Sequence, residues 1–483
     1  MLAPHSSGPM LIAVAGNVHG EFYHVHKALL KRKKIVGDTV DLLIVCGNML
    51  AARNASDLTQ VVMPDRYQSR HSFYKCVFRT YYTRELMAPT NVLFIGGEQE
   101  AYNFLMEMYF GGWVAPRVFY MGHAGCVQYG GLRIAGISGV FDERHYESGY
   151  FESYPLVNDD IETATYTRRM EMQKLMALSG QADIVLSHDW PRGILQYGDD
   201  EVLINHRPQL AKQIAADAFG NPHLDDLMTH LRPGHWFSAR WQLKWSAAWR
   251  HANGQQTLFY SAPKTCRRKD FLQYFDIPSK NDDRDIQFDP EWLAITRLSS
   301  PLLSCDPASQ PIELTSEAIQ AETDVVRAEL NDQLKVPLEF ERTVKPHKFN
   351  HARMVCKPKR RMDYLERTTL QLNPYTSHFM ERMRIADPFV DKRNRTVERK
   401  VEPKNRLSKE EKMAMKIAPY DERFCFENGK MPFENGDLLG LNPTSTPAFR
   451  MPAATSLRLD RFRQSRVMST LATSAMNAVR RVR

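Results

Sequence analysis

Roughly the first 300 residues predict an α/β fold, on two observations. Short β-branched apolar runs recur, and each ends in a small polar cluster; helical patterns and Gly/Pro-rich loops lie between them. Residues 10–15 run into Gly16-Asn17-Val18-His19-Gly20, 40–46 into Gly47-Asn48, and 91–95 into Gly96-Gly97-Glu98-Gln99-Glu100. The run 182–186 meets Ser187-His188-Asp189-Trp190-Pro191, where Pro stops the strand. Ligand sites in open α/β sheets gather at the carboxyl edge of the strands. These clusters therefore hold the candidate site.

In chain order, the spacing predicts a helix over 21–34, ending in Lys31-Arg32-Lys33-Lys34, where cations suit a helix C-terminus. Residues 51–88 carry polar and aromatic helical material. The Gly and Pro of Gly111-Gly112-Trp113-Val114-Ala115-Pro116 predict a loop. Strands follow at 118–121, 125–129 and 131–137, then an aromatic-rich loop over 141–155 and a long helix over 159–178. Residues 208–230 read as helix, 236–245 as a strand and loop, and 257–262 and 271–277 as strands.

Beyond about residue 300 the character changes. Residues 299–312 are rich in Ser and Pro, and 316–334 read as a helical patch. Short helices are expected at 364–384 and 408–416, within a tract that is otherwise basic and polar. Residues 342–416 hold about 21 Lys+Arg against 9 Asp+Glu, roughly +12, which exceeds the +8 of the whole chain. Residues 450–483 carry eight Arg and one Asp, and this tail is expected to be disordered or folded only by a partner. The expected organisation is a domain over 10–278, a small C-terminal region over 279–390, and a basic low-complexity tail over 391–483.

Composition excludes several classes. No apolar run approaches the roughly 20 residues that span a bilayer, and the first nine residues make a poor signal peptide or presequence. Seven dispersed cysteines without CxxC spacing argue against a disulfide framework and against a zinc finger. A soluble protein of a reducing compartment is expected, with no membrane or disulfide partner. The positive balance favours a polyanion.

Several strings together carry a family resemblance: Gly16–Gly20, Ala52-Arg53-Asn54 with Asp57-Leu58, Gly96–Ala101, Gly-Gly-Trp-Val-Ala-Pro at 111–116, Ser187–Pro191, Trp236-Phe237-Ser238-Ala239 and Asp270-Phe271-Leu272-Gln273. The chain resembles the RNA lariat debranching enzymes of the calcineurin-like metallophosphoesterase superfamily. The resemblance covers about residues 10–300 and, more weakly, continues to about 390. It implies a metallophosphoesterase-type β-sandwich flanked by helices. It also implies two divalent ions held by strand-end loops, which hydrolyse the 2′,5′-phosphodiester of an intron branch point. A nuclear or cytoplasmic home is likewise what the family implies, with an organelle left open.

The ligand positions depart from that pattern. Where the family has Cys or Asp this chain has Asn17, with His19 kept; its bridging Asp is Asn48. Its Asn-His pair is Glu98-Gln99, so the general-acid position is an amide that exchanges no proton at neutral pH. His188 is kept, and the last two His positions are Arg240 and Gln242. No catalytic residue is therefore expected. Of the vestigial metal positions Asn17, His19, Asn48, Glu98, His188, Arg240 and Gln242, only His19, His188 and Glu98 ligate well. No cofactor is expected, and a Glu98–Arg240 bidentate ion pair is expected in the cavity, with Trp241 filling part of it. The alternative is one divalent ion (Mn, Fe or Zn) on His19, His188 and Glu98.

Binding is expected to outlast catalysis. Arg53 and Asn54 match the family's phosphate-facing loop, although a helix N-cap explains them as well. Tyr146, Tyr150, Phe151 and Tyr154 match the lariat-recognition loop, where exposed rings stack on unpaired bases, and Arg168 follows on a helix. The chain thus reads as a pseudoenzyme that binds branched or structured RNA or a ribonucleoprotein complex. The alternatives are a divergent metal-dependent debranching phosphodiesterase and a protein-binding scaffold.

Overall fold

A computed structural model describes residues 8–62, 77–266, 270–344 and 370–394. Apolar runs become two mixed sheets. The first comprises β1 (Pro9–Ala15), β2 (Leu42–Val45), β3 (Asn91–Phe94), β4 (Gly112–Ala115), β5 (Val118–Tyr120) and β12 (Gln273–Pro278), in the order β12-β1-β2-β3-β5-β4. The second comprises β6 (Ala124–Tyr129), β7 (Leu132–Ile137), β8 (Ile184–Ser187), β9 (His235–Ser238), β10 (Trp245–Arg250), β11 (Gln256–Ser261) and β13 (Gln287–Phe288). Its order is β10-β11-β9-β8-β7-β6-β13.

Strands β1, β2, β3 and β5 run parallel, as do β7, β8, β9 and β11. Alternation along the second sheet sorts its side chains into two cores. Ile134, Ile184, Leu186 and Phe237 join the first sheet in one core. Ala135, Val185 and Trp236 face the other way, against Met172, Leu175, Leu224 and Leu227. Those four stand on two helices that cover the outer face, Arg169–Met176 and His223–Leu231.

Helix α1 (Phe22–Val36) follows β1, buries Phe22, Val25, His26 and Leu29, and ends at Gly37 in the left-handed region (φ 86°). Helix α2 (Ala55–Thr59) follows β2. Three expectations are corrected. The long helix over 159–178 is two short ones, Asp159–Thr163 and Arg169–Met176. Between them Tyr166 bridges Val140 and the Thr167 N–H donates to the Val140 carbonyl at 2.9 Å. Residues 208–230 likewise break at Gly220 (φ 80°) and Pro222, the latter N-capping His223–Leu231. The Gly-Gly-Trp-Val-Ala-Pro string contains the edge strand β4, antiparallel to β5, because Trp113 is anchored by donating to the Pro337 carbonyl at 2.8 Å.

Residues 279–344 and 370–394 do not stand apart from the first 278. Strand β13 pairs with β6, and Val326, Phe340, Phe379 and Phe389 enter the core shared with the first sheet. One compact unit runs from Met1 to Glu402. A second, Pro403–Arg483, lies wholly outside the described residues, as do the expected helix at 408–416 and nearly all of the tail over 391–483. Of the helix expected over 364–384, Pro374–Met383 is present, and residues before 370 lie outside the described set. Among the described residues, no helix is long and apolar enough to cross a membrane.

Candidate functional site

The parallel strands bring their carboxyl ends together, and the polar clusters meet there. The Cys46 N–H donates to the Ala15 carbonyl (3.1 Å), and the His19 N–H to the Asn48 carbonyl (2.6 Å), which fixes the β1 loop on the β2 loop. The imidazole of His188, fully buried at the end of β8, reaches across to the other sheet: its Nδ1 lies 2.7 Å from the Cys46 carbonyl. That contact requires glycines. A Cβ on Gly47 (φ 106°) would lie 2.2 Å from His188 Nδ1, and one on Gly97 would lie 2.8 Å from its Cε1.

Amides occupy the centre. Asn48 Nδ2 donates to Asn17 Oδ1 at 3.1 Å, Asn17 Nδ2 donates to the Arg240 carbonyl at 3.1 Å, and the Gln99 N–H donates to Asn48 Oδ1 at 2.8 Å. Gln242 Nε2 lies 3.3 Å from His19 Nε2. The Gln99 position thus enters through its backbone. Buried His188 Nε2 has no hydrogen-bond partner among the described residues, and burial holds the ring's pKa below its ordinary value. Among the described residues, no three His, Cys, Asp or Glu side chains are grouped to hold a metal ion.

Arg240 does not form the expected bidentate pair with Glu98. Its Nη1 is bonded to Asp189 Oδ1, whereas its Nε lies 4.0 Å from Glu98 Oε2. The cause is strand register. Strands β8 and β9 pair Leu186 with Phe237, and the same offset carried three residues further sets Asp189 opposite Arg240. Burial opposes the guanidinium's charge, but Asp189 and Glu98 more than offset it and hold its pKa above the ordinary value. The second oxygen of Asp189 accepts from the Phe141 N–H at 2.7 Å, so one carboxylate ties Arg240 to the 141–155 loop. Trp241 stacks on Phe219 (5.4 Å, 28°) against the outer core, and the Arg240 guanidinium lies 4.9 Å over the centre of its ring.

Backbone strain is concentrated in these loops. His19 (φ 49°), Asn48 (52°), Arg240 (30°) and Gln242 (58°) all adopt left-handed conformations that non-glycine residues rarely adopt. Such clustering marks functional sites.

Comparison with known proteins places this geometry. A family model described as "Lariat debranching enzyme, C-terminal domain" matches residues 254–388. A lariat debranching enzyme of Arabidopsis thaliana is 38% identical over 336 residues, which cover 69% of this chain and 79% of that protein. The lariat debranching enzyme of Homo sapiens is 34% identical over 393 residues, covering 78% and 70%. Lariat debranching enzyme A of Xenopus laevis is 33% identical over 407 residues, covering 81% and 73%. The chain belongs to the lariat debranching enzyme family.

The residues that lariat debranching enzymes suggest as RNA contacts sit differently from expectation. Arg53 is not free to face a phosphate. Its Nε and Nη2 donate to Asp57 (2.9 and 3.1 Å), its Nη1 lies within 2.9 Å of both Glu107 oxygens and 2.7 Å from Thr343 Oγ1, and its guanidinium lies 4.0 Å from the Phe104 ring centre. Asn54 caps α2, accepting from the Ser56 and Asp57 N–H groups at 2.8 and 3.0 Å. The i, i+4 spacing of Arg53 and Asp57 was the signal in the sequence for that pairing.

The aromatic loop is turned inward rather than exposed. Tyr146 stacks on His223 (4.0 Å, 8°), the Tyr150 hydroxyl donates to Glu171 at 3.0 Å, and Tyr154 lies in the inner core. Arg168 is buried on Glu152, with further donations to the His145 and Thr163 carbonyls. Buried carboxylates at 152 and 171 require these partners, because an unpaired buried charge is costly. Phe151 alone of the four rings stays half-buried, 6.1 Å from His145, which itself stacks on Tyr166. Sequence reasoning missed Asp189 as the partner of Arg240. It also missed Glu100, whose carboxylate shapes the β2 loop by accepting from the Met49 (2.5 Å) and Ala51 (3.2 Å) N–H groups.

Proposed function

We propose that this chain is a noncatalytic member of the lariat debranching enzyme family that binds RNA, alone or within a ribonucleoprotein complex. The carrying observation is the Asn17–Asn48 amide pair beside Arg240 at the strand-end site. Two divalent ions need carboxylates to neutralise them and to bridge them. Here the amides bond to each other and to the Arg240 carbonyl, while the Arg240 guanidinium, which cannot lose its charge, holds Asp189 and lies 4.0 Å from Glu98. These residues do not fit a pair of metal ions. Gln99 leaves no general acid at the family position.

RNA binding draws on other features. The relatives are named for acting on lariats. Arg240 keeps 22% of its side chain exposed, and the half-buried rings of Phe151 and His145 lie on the loop that Asp189 tethers. The Arg240 guanidinium itself lies 4.9 Å over the half-buried Trp241 ring, and a cation on an accessible ring suits a phosphate with a neighbouring unpaired base.

The test uses the full chain, purified and assayed for bound Mn, Fe and Zn, then for binding and cleavage of a branched oligonucleotide with each metal added. Binding without cleavage is expected. Stoichiometric metal, with cleavage lost in His188→Ala, overturns the noncatalytic reading in favour of a divergent phosphodiesterase. Absence of RNA affinity at low salt overturns RNA binding in favour of a protein scaffold.

A further inference from the structure

The last ten residues of α1 carry Lys27, Lys31, Arg32, Lys33 and Lys34, and all but Arg32 are exposed. Arg32 is accounted for: it pairs with Asp38 at 3.1 Å and lies over the Tyr274 ring at 4.1 Å. Among the described residues, the four lysines make no ion pair. Lys27 lies 4.5 Å over the Tyr23 ring. Helical spacing puts Lys27, Lys31 and Lys34 in one row, opposite the buried face of Phe22, Val25 and Leu29. That row spans about 10 Å of helix axis. Exposed aliphatic side chains flank it, Leu30 (43%) on one side and Ile35 (55%) on the other.

The helix dipole accounts for only part of this arrangement. Its effect fades beyond the final turn, which contains Lys33 and Lys34 but not Lys27 or Lys31. We infer that the Lys27–Lys31–Lys34 row is a second RNA contact, which holds the phosphate backbone away from the strand-end site. A row of unpaired cations spaced along an axis matches a polyanion with a regular charge repeat, and its binding gains from counterion release. Leu30 and Ile35 offer apolar contact to sugars or splayed bases beside that row. Because α1 runs back from the site edge, Lys34 stands about 18 Å along the axis from Phe22. At a stacked rise of about 3.4 Å per nucleotide, a strand reaches the far end of the row only when it is about six nucleotides long or longer, and a tetranucleotide reaches no further than Lys27.

This inference rests on the proposal that the chain binds RNA, and length dependence separates the two. The experiment compares wild type with K27Q/K31Q/K34Q, using a tetranucleotide and an oligonucleotide of about twenty nucleotides across a salt series. The variant should bind the long RNA about tenfold more weakly at low salt, and the slope of log affinity against log salt should shrink by about two. Tetranucleotide binding should fall far less, by at most the contribution of Lys27 alone, and K27R/K31R/K34R should restore wild-type affinity. Unchanged long-RNA affinity and slope in the glutamine variant overturn the lysine row while leaving the proposed function in place; a lysine row serving an acidic protein surface gives this outcome. Loss of binding by wild type to either RNA overturns both. The substituted side chains are exposed, and an unchanged circular dichroism melt shows that folding is not the cause.

Discussion

Arg53 and Arg240 stand in two different strand-end loops, one past β2 and one past β9, and their surroundings differ in kind. Arg53 is 2% exposed and has Asp57, Glu107 and Thr343 around its fork. It joins the β2 loop to the chain near residue 343. Arg240 is 22% exposed, bonded to Asp189 on one side and 4.0 Å from Glu98 on the other. The first arginine is saturated and holds the fold together; the second has donors left over. How deeply the guanidinium is buried and how many of its donors are already bonded decide which cation can meet an external phosphate, and a family motif reports neither.

Stability measurements can break this contrast. Arg53→Met leaves Asp57 and Glu107 buried without their cation, and it should cost about 3–5 kcal/mol in denaturant unfolding. Arg53→Lys keeps the charge without the fork and should cost less. If Arg240→Met destabilised as much as Arg53→Met, the distinction between the two would be wrong. Gly47→Ala tests how tightly the site loops are set. The new methyl meets His188 and the backbone loses a left-handed glycine, so a cost of about 1–3 kcal/mol is expected. Arg240→Gln should cost about 1 kcal/mol, since Asp189 keeps the Phe141 N–H. The same change should weaken branched-RNA binding about tenfold, a loss that a purely structural arginine would not produce.

Two buried histidines sharpen the contrast through pH. Burial pushes His123, in the network of Tyr109 and Tyr150, down to about 4, and it also lowers His188 at the site. Each stays neutral in the folded chain while the unfolded chain takes up a proton below about 6.5. Their stabilising contribution is therefore complete above that pH and is lost as pH falls toward the folded value. His123→Gln should flatten the decline in melting temperature between about pH 6.5 and 4. The smallest effect is expected from metal: added Mn, Fe or Zn should move the melting temperature by less than about one degree. A larger shift that vanishes in His188→Ala would reinstate an ion at the site.

Strand-end clusters were legible in the sequence because apolar runs of four to seven residues stop abruptly at Gly, Asn or His, and each such run became a strand. Which residues bond across those ends was not legible. Asp189 meets Arg240 through the register of β8 and β9, a long-range quantity that no local pattern encodes. The inward turn of Tyr146, Tyr150 and Tyr154 was hidden for a related reason. Their partners are distant in the chain, His223 being 77 residues from Tyr146 (223 − 146) and Phe389 being 239 from Tyr150 (389 − 150), and an aromatic-rich loop reads the same whether it is wet or buried. The Gly-Gly-Trp-Val-Ala-Pro string misled because a tertiary anchor on Trp113 outweighs the turn preference of its glycines.

Every altered ligand position lies beyond the last paired residue of its strand, in a loop whose exchange leaves both ladders and both cores untouched. Chemistry and foldability are thus written in different parts of this architecture. Side chains at these positions can be exchanged at a cost confined to the loops, so each variant still accumulates as a folded protein. A scaffold of this kind lets the chemistry at its strand ends change without a change of fold.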